Sequence, residues 1–129
     1  MRIVADTNVF LCVALAQPER SRIISLTQGH ELIAPSILPF EIGNALSALA
    51  RRNSLTAELV RDAWNVTQSI PVQLRDTQVL PALNIAMQHK IYAYDAYFLE
   101  CALAARSPLL TLDKGMRRVA RELNIHVWE

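Results

Sequence analysis

Four acidic residues, widely separated along the chain, are the strongest candidates for chemistry in this 129-residue sequence. Asp6 and Asp113 each follow a short apolar run, whereas Glu41 and Asp95 stand near the starts of segments with helical spacing. Carboxylates that meet at one place repel one another, which raises their pKa values unless a cation lies between them. Hard oxygen ligands suit Mg²⁺ or Mn²⁺, and a hydroxide on such an ion attacks phosphodiesters. The pattern therefore indicates a metal-dependent hydrolase.

Each acid also has a purely structural interpretation. Asp95 is placed to cap its helix, Glu41 gains from a helix dipole, and Asp113 precedes a Lys-Gly pair typical of a turn or cap. Asp6 is harder to explain in this way, because a carboxylate directly after a buried strand is unfavourable without partners. Capping and metal binding are compatible, since one carboxylate has two oxygens.

The elements that must position these acids are predicted from apolar runs that alternate with helical periods, a pattern typical of a parallel sheet covered by helices. We expect five short strands, over residues 2–5, 31–34, 71–74, 109–112 and 126–128. Helices are predicted over about 9–16, 18–28, 36–52, 77–88, 96–105 and 115–123, with another after Thr56 and with Ser36 and Thr56 as caps. Sites in parallel α/β sheets form beyond the carboxyl ends of strands, so the four acids should share one edge.

Composition bounds the class of protein. The length fits one domain over residues 1–129, and thirteen basic against twelve acidic residues give no global signature of nucleic-acid binding. Cys12 and Cys101 are far apart and predict buried, reduced thiols. No apolar run approaches the ~20 residues of a membrane span. We therefore expect a cytoplasmic protein.

Polar residues next to the acids are expected to hold them. Such residues hydrogen-bond carboxylates and fix their rotamers, although turn chemistry and capping explain them as well. They are Thr7, Asn8, Ser36 and Thr111. The three histidines are isolated in the sequence, so zinc is not expected.

Four segments of the chain, in this order, resemble PIN-domain ribonucleases and particularly the VapC-type toxins of toxin–antitoxin pairs. They are Ile3-Val4-Ala5-Asp6-Thr7-Asn8-Val9, then Ala34-Pro35-Ser36 through Glu41 to Ala45-Leu46, Tyr94-Asp95-Ala96-Tyr97-Phe98-Leu99, and Leu110-Thr111-Leu112-Asp113. No single segment is specific, but the ordered set covers nearly the whole chain.

The resemblance implies a PIN-like α/β/α sandwich with strand order 3-2-1-4-5. It also implies that Asp6, Glu41, Asp95 and Asp113 stand where the family has its acidic quartet. Our hypothesis is that Asp6 and Asp95 are the main ligands of Mg²⁺ or Mn²⁺, with Asp113 and Glu41 completing the site directly or through water. Proteins similar in this way usually dimerise, cleave RNA and are silenced by a cognate antitoxin.

Basic and aromatic residues acquire a role if RNA is the substrate. Lys114, Arg117, Arg118 and Arg121 follow Asp113 at helical spacing and could line an RNA groove, although a solvated helix face explains them equally well. Three tyrosines could stack on bases, but core packing or dimer contacts are the favoured interpretation. They are Tyr92, Tyr94 and Tyr97.

Two other functions compete with the ribonuclease. A phosphatase resembling the haloacid dehalogenase family has an aspartate after its first strand, but its Asp-x-Asp pattern would need an acid where this chain has Asn8. A non-catalytic interaction module would use the acids only as caps and ion-pair partners. Such a module predicts no response to divalent metals, whereas a nuclease predicts stabilisation by them.

Overall fold

The computed structural model describes all residues, Met1 to Glu129. Its centre is a parallel sheet of four strands in the order β3-β2-β1-β4. The strands are β1 (Arg2–Ala5), β2 (Glu31–Pro35), β3 (Gln73–Arg75) and β4 (Leu109–Leu110). The predicted α/β class and the order 3-2-1-4 are confirmed.

The predicted fifth strand is wrong. Val127 makes only a single parallel bridge to Leu109. In this bridge the Leu109 N–H donates to the His126 carbonyl, and the Trp128 N–H donates to the Leu109 carbonyl. The bridge does not extend because β4 is only two residues long. Thr111 and Leu112, which we predicted as part of β4, leave the sheet and instead bond to the side chains of Asp6, directly after β1, and of Asn8 in the first turn of α1.

Seven helices cover the sheet. They are α1 (Thr7–Ala14), α2 (Arg20–Thr27), α3 (Leu38–Arg51), α4 (Ala57–Ser69), α5 (Val79–His89), α6 (Ala93–Ala105) and α7 (Lys114–Glu122). The predicted cap of α4 is confirmed, because the Thr56 hydroxyl accepts a hydrogen bond from the backbone N–H of Leu59 at 3.2 Å. None of the helices is both long and apolar enough to cross a membrane.

Two predicted helix caps are not observed. Ser36 does not cap α3, which begins at Leu38 after Ile37, and the Ser36 backbone N–H instead donates to the carbonyl of Arg75 at 2.7 Å. Helix α6 begins at Ala93, so Asp95 lies inside its first turn rather than before it. Both predictions rested on local capping patterns, which are weak predictors beside tertiary context.

The core is continuous from the sheet into both helical layers. Ile3, Val4 and Ala5 of β1 are fully buried. Helices α1 to α4 pack on one another, while α6 packs on α5 and on β1, β2 and β4. Because β1 is central and buried, the residue that follows it enters the protein interior. That residue is Asp6.

Candidate active site

Asp6 is the most buried acid of the predicted set, with 6% of its surface exposed. It follows β1 and caps α1, because its Oδ1 accepts a hydrogen bond from the Thr7 backbone N–H at 2.8 Å. Its Oδ2 accepts a hydrogen bond from the Thr111 hydroxyl at 2.7 Å. Both oxygens are therefore oriented by the protein, and the ends of β1 and β4 are joined through them.

Thr111 and Asn8 complete this arrangement. The Thr111 hydroxyl accepts hydrogen bonds from the Asn8 amide at 3.4 Å and from the Asp113 backbone N–H at 3.1 Å. The Asn8 Oδ1 in turn accepts from the Leu112 backbone N–H at 3.2 Å. These contacts hold the segment after β4 against the start of α1, so Asp113 is positioned relative to Asp6.

Glu41 approaches the same place from another element. It lies in the first turn of α3, is half-buried, and its Oε1 accepts a long hydrogen bond from the Thr7 hydroxyl at 3.4 Å. Ser36, which we expected to support the acids, makes no side-chain hydrogen bond to any of them. Its backbone is occupied in extending the contact between β2 and β3.

The capping interpretation fails for Asp95 and holds for Asp113. Asp95 is half-buried in the first turn of α6, where Tyr92 is the cap residue and supplies no side-chain bond. The Oδ1 of Asp113 accepts hydrogen bonds from the backbone N–H groups of Gly115 at 2.7 Å and Met116 at 3.3 Å. A Cβ on Gly115 would stand only 3.2 Å from that oxygen, so glycine permits the close approach.

The acids act on one another electrostatically. Burial, and then the charges of Asp95 and Asp113, raise the pKa of Asp6 from 3.8 to about 6, against the opposing hydrogen bonds. Burial followed by the charges of Asp6 and Asp95 raises the pKa of Glu41 from 4.5 to about 7. The pKa of Asp95 is also raised, by burial and then by Asp113. The fold thus brings the four scattered acids to one edge of the sheet.

No basic side chain neutralises this cluster. The protein forms one ion pair, Arg121–Glu129, and one hydrogen-bonded contact between His89 and Glu122, and neither includes one of the four acids. As the side chains stand, no three His, Cys, Asp or Glu residues meet closely enough to enclose an ion by themselves. An all-oxygen donor set with excess negative charge fits Mg²⁺ or Mn²⁺ held partly through water, since Mg²⁺ keeps several waters and uses few carboxylates.

The predicted basic residues divide into two groups. Lys114 is exposed directly after Asp113, and the half-buried Arg117 donates from Nε to the carbonyl of Thr111 at 3.1 Å. Arg118 is exposed and lies farther along α7. Arg121 is paired with Glu129 at 3.1 Å. It lies about 12 Å along α7 from Asp113, which caps that helix. Lys114 and Arg117 are therefore the basic residues closest to the acids along this helix.

Sequence reasoning missed the surroundings of the acids. Phe40, one residue before Glu41, is 79% exposed, although the helical apolar spacing of this segment favours a buried position for it. Core packing is the wrong interpretation for Tyr92 and Tyr94, which are both exposed. An aromatic residue directly before each of two acids, at positions 40–41 and 94–95, was the available signal.

We predict that metal-free protein loses stability as pH rises through the pKa of Asp6. The folded pKa of about 6 lies above the ordinary 3.8, so stabilisation is complete below about pH 4 and is lost towards pH 6. A difference of this size corresponds to about 3 kcal/mol. The Asp6→Asn variant should therefore be more stable than the parent at pH 8, with a flatter profile, in urea unfolding with EDTA.

The exposed Asp62→Asn change on α4 is the matched control and should follow the parent. Identical pH profiles for the parent and Asp6→Asn would contradict a buried, uncompensated carboxylate at this position.

Comparison with known proteins supports this reading of the fold. Ribonuclease VapC3 of Pyrobaculum aerophilum is 25% identical over 122 residues, which span 90% of this chain and 92% of that protein. The crystal structure of PAE2754 from the same organism superposes with a TM-score of 0.71 at 22% identity, over 92% of this chain and 79% of that one. The structure of VapBC2 from Rickettsia felis, bound to a DNA fragment from its promoter, also gives 0.71, at 16% identity over the full length of both chains.

One protein family matches almost the whole length of the chain. The PIN domain matches residues 3–122, from β1 to the end of α7, and so includes all four acids. The chain belongs to the PIN-domain family.

Proposed function

We propose that this protein is a divalent-metal-dependent endoribonuclease that hydrolyses phosphodiester bonds of RNA, and that it is the toxin of a toxin–antitoxin pair. The observation that carries the proposal is the cluster of four acids, three of them with raised pKa values and none paired with a basic residue. Membership of the PIN-domain family and similarity to a ribonuclease support the same chemistry.

In this proposal Asp6, Asp95 and Asp113 hold Mg²⁺ or Mn²⁺, and Glu41 completes the site directly or through water. The ion, when bound, lowers the pKa of water and offsets charge on the phosphate. Thr111 and the Thr7 backbone N–H keep Asp6 in one rotamer, so its remaining lone pairs have a fixed direction. Lys114 and Arg117 attract the RNA backbone, and the exposed Arg118 extends this attraction along α7. Arg121 contributes less, because it is paired with Glu129.

Incubation with total bacterial RNA tests the reaction without a guess at the substrate. The parent protein with Mg²⁺ or Mn²⁺ should create discrete new RNA ends, mapped by sequencing, that disappear with EDTA. Asp6→Asn should create none, because the amide is uncharged and a poor ligand for a hard cation. Asp62→Asn, which removes an exposed acid from α4, should cleave as the parent does.

Metal binding separates the nuclease from a non-catalytic module on the same fold. Mn²⁺ at about 100 times its Kd should stabilise the parent by about 2.7 kcal/mol. The same titration should leave Asp6→Asn little changed. New ends that persist in EDTA or in Asp6→Asn would place the activity elsewhere, and the absence of both cleavage and stabilisation would favour the module.

The toxin role predicts an effect on cells. Induced expression of the parent in a bacterial host should arrest growth, measured as a loss of colonies, while Asp6→Asn at equal abundance should not. Co-expression with the protein encoded beside this chain should restore growth if that protein is the antitoxin. Normal growth with the active parent would instead indicate a housekeeping nuclease.

We also propose a homodimer formed through α5. Four apolar side chains of this helix are exposed at helical spacing, which is unusual for a monomer surface. They are Val79, Leu80, Leu83 and Met87, with Leu80 and Met87 67% and 69% exposed. The parent should show twice the chain mass of 14.5 kDa in light scattering, and the Leu80→Glu/Met87→Glu variant should show one chain mass.

Leu59→Glu, on the exposed side of α4, is the control for this experiment and should leave the mass unchanged. A monomeric parent, or a dimer that survives both changes in α5, would rule out this interface.

A further inference from the structure

Two exposed aromatic residues stand directly before two of the acids. Phe40, 79% exposed, precedes Glu41 in the first turn of α3, and Tyr94, 60% exposed, precedes Asp95 in the first turn of α6. We propose that Phe40 and Tyr94 are base-stacking residues that hold the nucleotides flanking the scissile phosphate of a single-stranded RNA segment. This inference rests on the proposed ribonuclease function.

The placement of the rings follows from helix geometry. Adjacent residues of a helix are about 1.5 Å apart along its axis and about 100° apart around it. Each ring therefore leaves the same end of its helix as the neighbouring acid, but points to the side of it. The bases next to a scissile phosphate lie within one nucleotide of the acids. A ring beside the acid is thus positioned to contact a base rather than the phosphate.

Tyr94 is held in place before any ligand arrives. Its ring makes an edge-to-face contact with the ring of Tyr97, with centroids 5.8 Å apart and planes at 84°. Tyr97 is itself half-buried and packed against the core. The contact restricts the Tyr94 ring while most of its surface stays in water. A ring ordered in advance loses less conformational entropy when a base stacks on it.

Two features near the rings favour RNA over a protein surface as the occupant. Helix α6 has no side chain that caps its first turn, so its start presents free backbone N–H groups, which attract anions. At the start of α3, by contrast, Pro39 has no N–H, and the N–H groups of Phe40 and Glu41 donate to the Ile37 carbonyl. Lys114 and Arg117 add positive charge next to Asp113. A nucleic-acid strand offers phosphates and stackable faces together. It must be single-stranded, because bases within a duplex are already stacked on one another.

Binding is best measured in the Asp6→Asn background, which is not expected to cleave. A short fluorescein-labelled oligoribonucleotide of mixed sequence is titrated, and fluorescence anisotropy gives the Kd. Adding Phe40→Leu or Tyr94→Leu should raise the Kd by about 10-fold each, the magnitude expected for one lost stacking contact. Phe40→Trp and Tyr94→Phe, which keep a ring, should preserve the Kd. The same strand annealed to its complement should bind less tightly and show no dependence on the rings.

Leu103→Ala is the matched control, because this exposed residue lies on α6 far from Asp95 and should not change the Kd. The inference is overturned if the leucine variants bind as their background does, if Leu103→Ala is equally weakened, or if the aromatic replacements fail to rescue. Absence of measurable binding by the Asp6→Asn protein itself also overturns it. Leucine variants that keep RNA binding but lose an antitoxin or the dimer would assign the rings to a protein partner.

This experiment separates the two proposals. Cleavage of total RNA by Phe40→Leu and Tyr94→Leu at the parent's rate, with unchanged Kd, would leave the nuclease intact and remove the stacking role. If the parent cuts no RNA but binds it in a ring-dependent way, the stacking role would stand and the nuclease function would be removed.

Discussion

The contact between Thr111 and Asp6 organises the functional edge of this protein. It joins residues 105 positions apart in sequence, at the ends of two neighbouring strands, in a place where both side chains are buried. The same hydroxyl accepts from Asn8 and from the Asp113 backbone. The route of the chain after β4 and the position of the acid that caps α7 therefore follow from one small hydrogen-bonded group. A buried network of this kind is stable only when its members are satisfied together.

The network does not offset the burial of the acids and the repulsion between them at this edge of the sheet. Its hydrogen bonds lower the pKa of Asp6, but burial and the charges of the other acids raise that pKa by more than the hydrogen bonds lower it. The pKa of Glu41 is raised in the same way, and only one long hydrogen bond, from the Thr7 hydroxyl, lowers it. A protein selected for stability alone would place a lysine or an apolar residue there. Acids retained without a partner are typical of sites that a cation occupies during function.

The fold and the rim of the site carry different kinds of information. The sheet order and the PIN-domain match concern the scaffold, which related chains with little sequence identity share. In the proposed function, discrimination among RNA molecules would come from the side chains around the acids, because carboxylates and a cation held by them would contact only the phosphate. The candidates for this role are the exposed rings of Phe40 and Tyr94 and the positive charge of Lys114 and Arg117.

The sequence by itself determined the features that depend on local pattern. The apolar run before Asp6 predicted β1 to the residue, the Thr56 cap was correct, and alternation of runs and helical periods established the parallel sheet. The order of the four acids relative to these elements was enough to place them at one edge. Periodicity and capping act over a few residues, so they can be read without the fold.

Only the tertiary structure decided which groups, distant from one another in sequence, bind to each other. Ser36 was expected to cap α3, but the pairing between β2 and β3 uses its backbone instead. Thr111 and Leu112 continue an apolar run, yet they leave the sheet because Asp6 and Asn8 bind them. Arg121 is taken by Glu129, whereas Arg117 is held beside the acids. Each outcome is a competition between a local preference and a partner distant in sequence, and the partner is known only once the chain has folded.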